Sequence, residues 1–496
     1  MSSFGDVLKE VGEFGLFQKS LLVALCIPSI FPAFDVSSQV FTGLSFSHSC
    51  NTDWILERGP NLTKERQRNL TIPVDQDGRF ETTTECIDGW DYEVQQGASS
   101  LVTDVSKNPL FSYSLASQSI FMAGVLVGCL VFGAISDRFG RRFAVLLSIL
   151  LLLLFGVITA FSPNIYVYII FKFLCGSSGG VIIMNTCVMG RSWTDVSKSA
   201  LCTTTIIAFF SIGQMLLSGV AYLIRNWRIL QLVLFSPLIV ILFLPESSRW
   251  LVTHNRKEEA VKELLRAARV NKRRVPGDLL DKETHSNNDS QANGASDFRF
   301  AASFLFYGLS LNIGSFGLNI YLTQLIFGAV EIPANVACLT MIQRFGRRIC
   351  QAGFLFLGGV SCLVATAVPR GNHISFIAMM GKFSATAAFT TAYVYTAELY
   401  PTDIRHSGMG VNSMCARVAG ILSPLVRLLQ AYHYSVPMVV YGIIPMAAGC
   451  FSLLLPETLN MLLFIFSQFS SRVSPMARVS GQEGGGSEGA PTGRHS

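Results

Sequence analysis

Arg417 lies in the middle of the apolar run 407–429, within Met414-Cys-Ala-Arg-Val-Ala-Gly420. A charge at the centre of a bilayer costs about 2.5–3.5 kcal/mol on insertion scales, so this arginine needs a partner or a purpose. Its planar guanidinium can take a carboxylate or a planar acidic heterocycle through two parallel hydrogen bonds; the alternative is a structural ion pair. Lys382 falls in the run 374–397 and Glu331 in 320–341, and the sequence leaves open whether Lys382 faces the same space as Arg417 or pairs with Glu331. Asp35 and Arg427 sit toward one end of their own runs and are expected to compensate one another or to snorkel to water. Glu398, Arg405, Arg347, Arg348 and Glu457 cluster at run ends, where ion pairs that break and reform act as a latch and not as a substrate site. There is no CxxC pair, no histidine cluster and no nucleophile–base pair, so neither a metal, a cofactor nor enzymatic catalysis has support.

These charges stand out because there are few. Of 496 residues, 50% are apolar and 14% charged, against roughly 25% charged in an average soluble domain. The mean hydropathy is +0.45, which excludes a water-soluble protein of this size. Apolar runs near 18–41, 115–135, 143–161, 165–189, 201–223, 229–244, 300–318, 320–341, 350–368, 374–397, 407–429 and 437–455 read as twelve transmembrane helices, each needing about 20 residues. Basic clusters at Arg138, Arg141 and Arg142, at Arg344, Arg347 and Arg348, and from Arg249 to Arg274 place those loops and both termini in the cytoplasm. The net charge of +6 is spread over such clusters with no aromatic-interleaved basic stripe, so nucleic acid is not a partner and the lipid bilayer is. The loop 45–112 then lies outside, where the sequons at Asn61 and Asn69 are glycosylation sites and the lone pair Cys50 and Cys86 is a disulfide candidate.

The chain also repeats itself. Asp137-Arg-Phe-Gly-Arg-Arg142 returns as Gln343-Arg-Phe-Gly-Arg-Arg348, and Pro245-Glu246 returns as Pro456-Glu457, each at the same place relative to six runs. The expected architecture is an all-α polytopic membrane protein with two pseudo-symmetric six-helix halves, the plan of a transporter that rocks around a midplane site. The halves are 1–244 and 300–458. A charged segment, 245–299, joins them through a solvated helix with Glu258, Val261, Leu264 and Leu265 at helical spacing, and 459–496 reads as a disordered cytoplasmic tail.

Gly133-x-x-x-Asp137-Arg138-Phe139-Gly140-Arg141-Arg142 resembles the signature of the major facilitator superfamily, whose loop helps latch the cytoplasmic face. Gly12-Glu-Phe-Gly-Leu-Phe-Gln18, Pro245-Glu-Ser-Ser-Arg-Trp-Leu251, Glu398-Leu-Tyr-Pro-Thr-Asp-Ile-Arg405 and Leu455-Pro-Glu-Thr458 narrow the resemblance to the solute carrier family of organic anion, cation and zwitterion transporters. The resemblance implies a cytoplasmic gate of Asp137, Arg138, Arg141, Arg142, Glu246, Arg249, Arg347, Arg348, Glu398, Arg405 and Glu457. It implies a substrate site of Arg417 with Lys382, Asn335 and the aromatic residues Tyr222, Phe306, Tyr307, Phe389 and Tyr393. An arginine at position 417 resembles the anion-transporting branch, and Gly317-Leu-Asn-Ile-Tyr-Leu-Thr-Gln-Leu-Ile-Phe-Gly-Ala-Val-Glu-Ile-Pro333 resembles the urate- and nicotinate-carrying branch in particular. The implied function is a secondary transporter at the plasma membrane that moves small organic anions, urate, nicotinate or other monocarboxylates, by alternating access in exchange for a counter-anion. The alternatives are a cation or zwitterion carrier with Asp35 as counter-charge, or a non-transporting variant. Three departures bear on this. Asn335 stands where the anion branch usually has a base, Arg191 or Ser192 stands where an acid is usual, and the seventh run, counted from Arg299 to Phe316, reaches only about 27 Å at 1.5 Å per residue.

Overall fold

The computed structural model describes residues 14–44, 48–57, 61–71, 90–92, 99–104, 112–194, 196–240, 257–273, 295–313, 319–368, 372–399, 405–433 and 435–455, with positions 12, 86 and 251. The described residues are helical almost throughout. Helices α1 (Leu16–Cys26) and α2 (Ile30–Thr42) form one span broken at Ile27, Pro28 and Ser29. After α3 (Lys64–Thr71) and α4 (Leu101–Asp104) come α5 (Ser112–Phe139), α6 (Arg141–Ala160), α7 (Ile165–Ser192), α8 (Val196–Leu223) and α9 (Trp227–Phe235). Then follow α10 (Lys257–Val270), α11 (Ala295–Leu311), α12 (Ile320–Phe345), α13 (Arg347–Ala367), α14 (Asn372–Leu399), α15 (Arg405–Arg427) and α16 (Val436–Ser452).

Among the described residues seven helical segments are long and apolar enough to cross a membrane: Leu16–Thr42, Leu115–Phe139, Arg141–Ala160, Ile165–Ser192, Leu201–Leu223, Ile320–Phe345 and Arg347–Ala367. Shorter apolar helices occupy Trp227–Leu238, Phe298–Leu311 and Val436–Ser452. Local chemistry sets several starts. Asn164, Asn226 and Asn319 each turn a side-chain oxygen onto backbone N–H groups of the first turn of α7, α9 and α12, which satisfies donors that a membrane end leaves open. The two Arg-Phe-Gly-Arg-Arg copies make the same backbone move. Gly140 at φ 99° joins α5 to α6 and Gly346 at φ 90° joins α12 to α13, a left-handed conformation that glycine adopts without strain. The sequence repeat is therefore also a repeat of geometry.

Helices α1, α2 and α5–α9 pack on one another, as do α11–α16, and two seams join the bundles: α8 against α12 and α5 against α15. The amino-terminal core gathers Leu25, Leu152, Ile182, Trp193, Ile206 and Leu230 among others. At the end of the molecule opposite the glycine turns, a pair of short antiparallel strands, β1 (His48–Cys50) and β2 (Trp90–Tyr92), adds a small sheet that the all-helical expectation lacked, and Cys50 is bonded to Cys86. This end is called the loop end below, and the other the turn end.

Two expectations need correction. The linking helix α10 is not solvated on all sides: Leu264, Ala267 and Ala268 are buried in the amino-terminal core. Asn271 just beyond it accepts from Phe17 N–H at 2.9 Å and donates to Gln18 at 2.9 Å. A hydrophobic face at 261, 264, 267 and 268 is what docks it. The seventh run is also misplaced, since α11 begins at Ala295 and ends at Leu311. There Asn312 turns its amide back onto the Gly308 carbonyl at 2.7 Å and closes the helix. Arg299 is consequently inside the helix and not at its boundary.

Candidate functional site

Helix α11 carries Arg299, Phe306, Tyr307 and Ser310; α14 carries Lys382, Phe389 and Tyr393; α15 carries Arg417. The packing of α11 against α14 and α15 brings them together. Tyr307 and Phe306 touch edge to face with centroids 5.5 Å apart, and Phe306 reaches Phe389 at 5.9 Å. Arg417 is half-buried. Its Nη1 donates to the Tyr307 hydroxyl at 3.4 Å, it also reaches the thiol of Cys129 on α5, and its Nε has no hydrogen-bond partner. No carboxylate pairs with it among the described residues. A structural ion pair, the alternative left open by the sequence, is absent there.

Lys382 resolves differently. Its Nζ lies 2.9 Å from Glu331, donates to Ser310 at 2.7 Å, and stands 3.3 Å from the centroid of Phe306. Both oxygens of Glu331 are occupied further, by Ser211 at 2.6 Å and by Gln214 at 3.0 and 3.1 Å, and Gln324 donates to Gln214 at 3.1 Å. Ser211 and Gln214 belong to α8, so this polar cluster crosses the seam between bundles. A narrow cleft at the same level is lined by Gln118, Gln214, Phe306, Tyr307, Ser310 and Gln324. Phe306 thus stands between a neutralised lysine–glutamate cluster toward the loop end and an un-neutralised arginine toward the middle.

The other candidates separate. Asn335 is buried on α12 and accepts from Thr390 at 2.6 Å while its amide nitrogen has no partner. Tyr222 is 55% exposed, its ring meeting Tyr321 and Arg225, and is not part of the group around Arg417. Asp35 and Arg427 do not compensate one another. Asp35 forms an ion pair with Lys172, which also sits 5.0 Å from the ring of Phe121, while Arg427 donates to the Leu311 carbonyl at 2.7 Å. The physical reason is depth, since both Asp35 and Lys172 are wholly buried inside the amino-terminal bundle. Of the gate residues, Asp137, Arg138, Arg141, Arg142, Arg347 and Arg348 are described at the turn end, with Arg138 over the ring of Phe139. Glu246, Arg249 and Glu457 lie outside the described residues, as do the side chains of Glu398, Arg405 and Asn69. Asn61 is exposed.

Two residues escaped the sequence reading. Lys172 had a signal, because it lies 210 positions before Lys382 and so falls near the repeat register. Arg299 had none once it was read as a helix boundary. It is 5% exposed and lies 4.8 Å from the Tyr393 ring and 5.5 Å from the Phe389 ring, and its Nε and Nη1 have no hydrogen-bond partner. Tyr393 in turn takes a hydrogen bond from Arg191 on α7.

Residues 81–314 and 301–464 match the family described as "Sugar (and other) transporter". Human solute carrier family 22 member 13 is 36% identical over 507 residues, covering 92% of this chain and 91% of that one. Rabbit organic anion transporter 3 is 34% identical, covering 92% of each. The chain belongs to solute carrier family 22. Among solved structures, the inward-open xylose transporter XylE of E. coli matches with a TM-score of 0.60 at 16% identity over 90% of this chain and 98% of that one, which shows the major facilitator fold. A family 22 chain with that fold is a multi-pass secondary-active membrane transporter related to organic anion and cation carriers, and its function is transport and not catalysis.

Proposed function

We propose that this family 22 member moves small organic anions by alternating access, with Arg417 as the group that meets the anion. The observation that carries this reading is the distribution of charge inside the spans. The two carboxylates in the middle of described spans, Asp35 and Glu331, are each closed by a buried lysine, whereas Arg417 has a tyrosine hydroxyl and a thiol but, among the described residues, no carboxylate. A site whose acids are neutralised and whose arginine is not attracts an anion and offers a cation nothing. Asp35 in particular is unavailable as a cation's counter-charge.

Within that reading the substrates are urate, nicotinate and other monocarboxylates. They are planar enough to lie against Phe306, Tyr307, Phe389 and Tyr393 and acidic enough to take the guanidinium fork. Exchange for a second anion, twelve spans in two halves, cytoplasmic termini, residence at the plasma membrane and glycosylation at Asn61 and Asn69 belong to the same proposal. The seams support alternating access: contacts between bundles such as Ser218 with the Tyr321 carbonyl, Phe41 stacked on Tyr321, and Ser119 with the Ile421 carbonyl lie toward the loop end, so this conformation is shut there.

Uptake and counterflow of labelled nicotinate and urate in cells displaying the chain at their surface test the proposal. The expected result is saturable uptake above control cells, accelerated by preloaded unlabelled nicotinate. No uptake and no counterflow of either compound or of other small organic anions contradicts it. That negative result favours a second reading, a non-transporting variant. Its support is the length of α11, whose 17 residues rise only about 25 Å.

A further inference from the structure

Arg299 is a buried cation whose chemistry nothing described so far uses. Its nitrogens Nε and Nη1 lack partners although the side chain is 5% exposed. Its guanidinium is held over Phe389 and Tyr393, two residues one helical turn apart on α14, the face that also borders Phe306. A run of side-chain contacts joins it to Arg417: Arg299 lies over Phe389, Phe389 meets Phe306 at 5.9 Å, Phe306 meets Tyr307 at 5.5 Å, and the Tyr307 hydroxyl accepts from Arg417. Two arginines therefore flank one aromatic group, and among the described residues neither has a carboxylate. Burying two like charges close together is unfavourable unless something negative joins them, and stacking on aromatic faces fixes a guanidinium without neutralising it.

We propose that Arg299 is a specificity-determining residue of the anion site, and that with Arg417 it makes the site select anions bearing two negative charges over anions bearing one. This inference rests on the anion reading above and changes its substrate class. Arg417 takes the first acidic group, with the Tyr307 hydroxyl beside it. Arg299, pinned on the Phe389 and Tyr393 rings toward the turn end, takes the second. A monocarboxylate leaves Arg299 unpaired and so gains less from entering. Phe306, in contact with both Tyr307 beside Arg417 and Phe389 beneath Arg299, offers an apolar ring between the two cations, which suits a rigid aromatic ligand with two adjacent acid groups.

Phthalate and benzoate differ by one carboxylate on the same ring and separate the two ideas. Binding of each to purified full-length protein in lipid nanodiscs is measured for the unaltered chain and for Arg299→Gln, Arg299→Lys and Arg417→Gln. A second charge-assisted contact predicts that the unaltered chain holds phthalate about tenfold or more tighter than benzoate. Arg299→Gln removes that preference by weakening phthalate alone, with benzoate changed less than about twofold. Arg299→Lys keeps a preference for phthalate, which distinguishes lost charge from lost fold. Arg417→Gln weakens both ligands. Equal affinity of the unaltered chain for the two, parallel weakening of both by Arg299→Gln, or loss of the preference in Arg299→Lys overturns the role of Arg299 and leaves the anion reading standing. If the unaltered chain binds neither compound and transports no organic anion, both fall together.

Discussion

Asp35 and Lys172 illustrate how residue-level energetics divide this protein. Each is buried, and among the described residues each has the other as its ion-pair partner. Removing one member strands the other in an apolar medium, whereas removing both strands nothing. Asp35→Asn is expected to cost about 3–5 kcal/mol, and combining it with Lys172→Met is expected to return most of that. Thermal melting of purified protein with surface quantification checks it, and an Asp35→Asn protein as stable as the unaltered one contradicts the pairing. Part of this residue scale was legible. Arg417 stood out because a guanidinium in an apolar run is conspicuous, and the aromatic set of Phe306, Tyr307, Phe389 and Tyr393 was named through family resemblance and comes together in space. Tyr222, named the same way, does not. Pairings were less legible, because Asp35 with Lys172 joins α2 to α7 across 137 positions and nothing local dictates it. Arg299 was lost by an error of four residues in a helix boundary.

At the scale of elements, helix–helix approach depends on a few positions without side chains. A Cβ on Gly128 of α5 would stand 2.0 Å from the Ser177 carbonyl oxygen of α7, so the two backbones meet there directly, as small residues allow in a membrane. Gly128→Val is expected to force α5 and α7 apart and to cut surface expression severalfold, whereas valine at Gly133, where a Cβ meets nothing within 4 Å, is expected to leave expression near that of the unaltered chain. Immunoblotting of the surface fraction measures both; equal expression of the two variants contradicts the close approach. The turns behave by a different rule. Gly346 at φ 90° tolerates a side chain poorly, and Gly346→Ala is expected to lower stability by about 1–2 kcal/mol, read as a lower melting temperature. The existence of nearly every helix was legible from apolar runs, and the Arg-Phe-Gly-Arg-Arg turn from its repetition. What could not be read was where α11 begins, because Phe298 and Arg299 follow a polar stretch, and that α10 docks onto the core instead of lying in water.

For the whole molecule, alternating access requires two bundles that part at the loop end during each cycle. Seam contacts between α8 and α12 sit where that parting must occur: Met215 packs so tightly on Gly328 that a Cβ there would come within 2.7 Å of its Cγ. A disulfide between cysteines introduced as Met215→Cys and Gly328→Cys is expected to stop transport under oxidation and to release it on reduction, with each single variant unaffected by oxidant. Continued transport in the cross-linked protein contradicts the parting. An all-α polytopic membrane fold was legible at this scale from few charges and long apolar runs, and its major facilitator plan from the resemblance carried by the duplicated turn. Substrate identity was not, since it depends on which buried charges are neutralised, and that is a property of packing.

The most direct measurement is counterflow of labelled nicotinate into proteoliposomes preloaded with unlabelled nicotinate, comparing the unaltered chain with Arg417→Gln and Arg417→Lys at matched protein content. Clear counterflow is expected in the unaltered protein, with loss of about tenfold or more in Arg417→Gln and partial retention in Arg417→Lys. Counterflow in Arg417→Gln equal to that of the unaltered protein contradicts the role of Arg417 as the group that meets the anion.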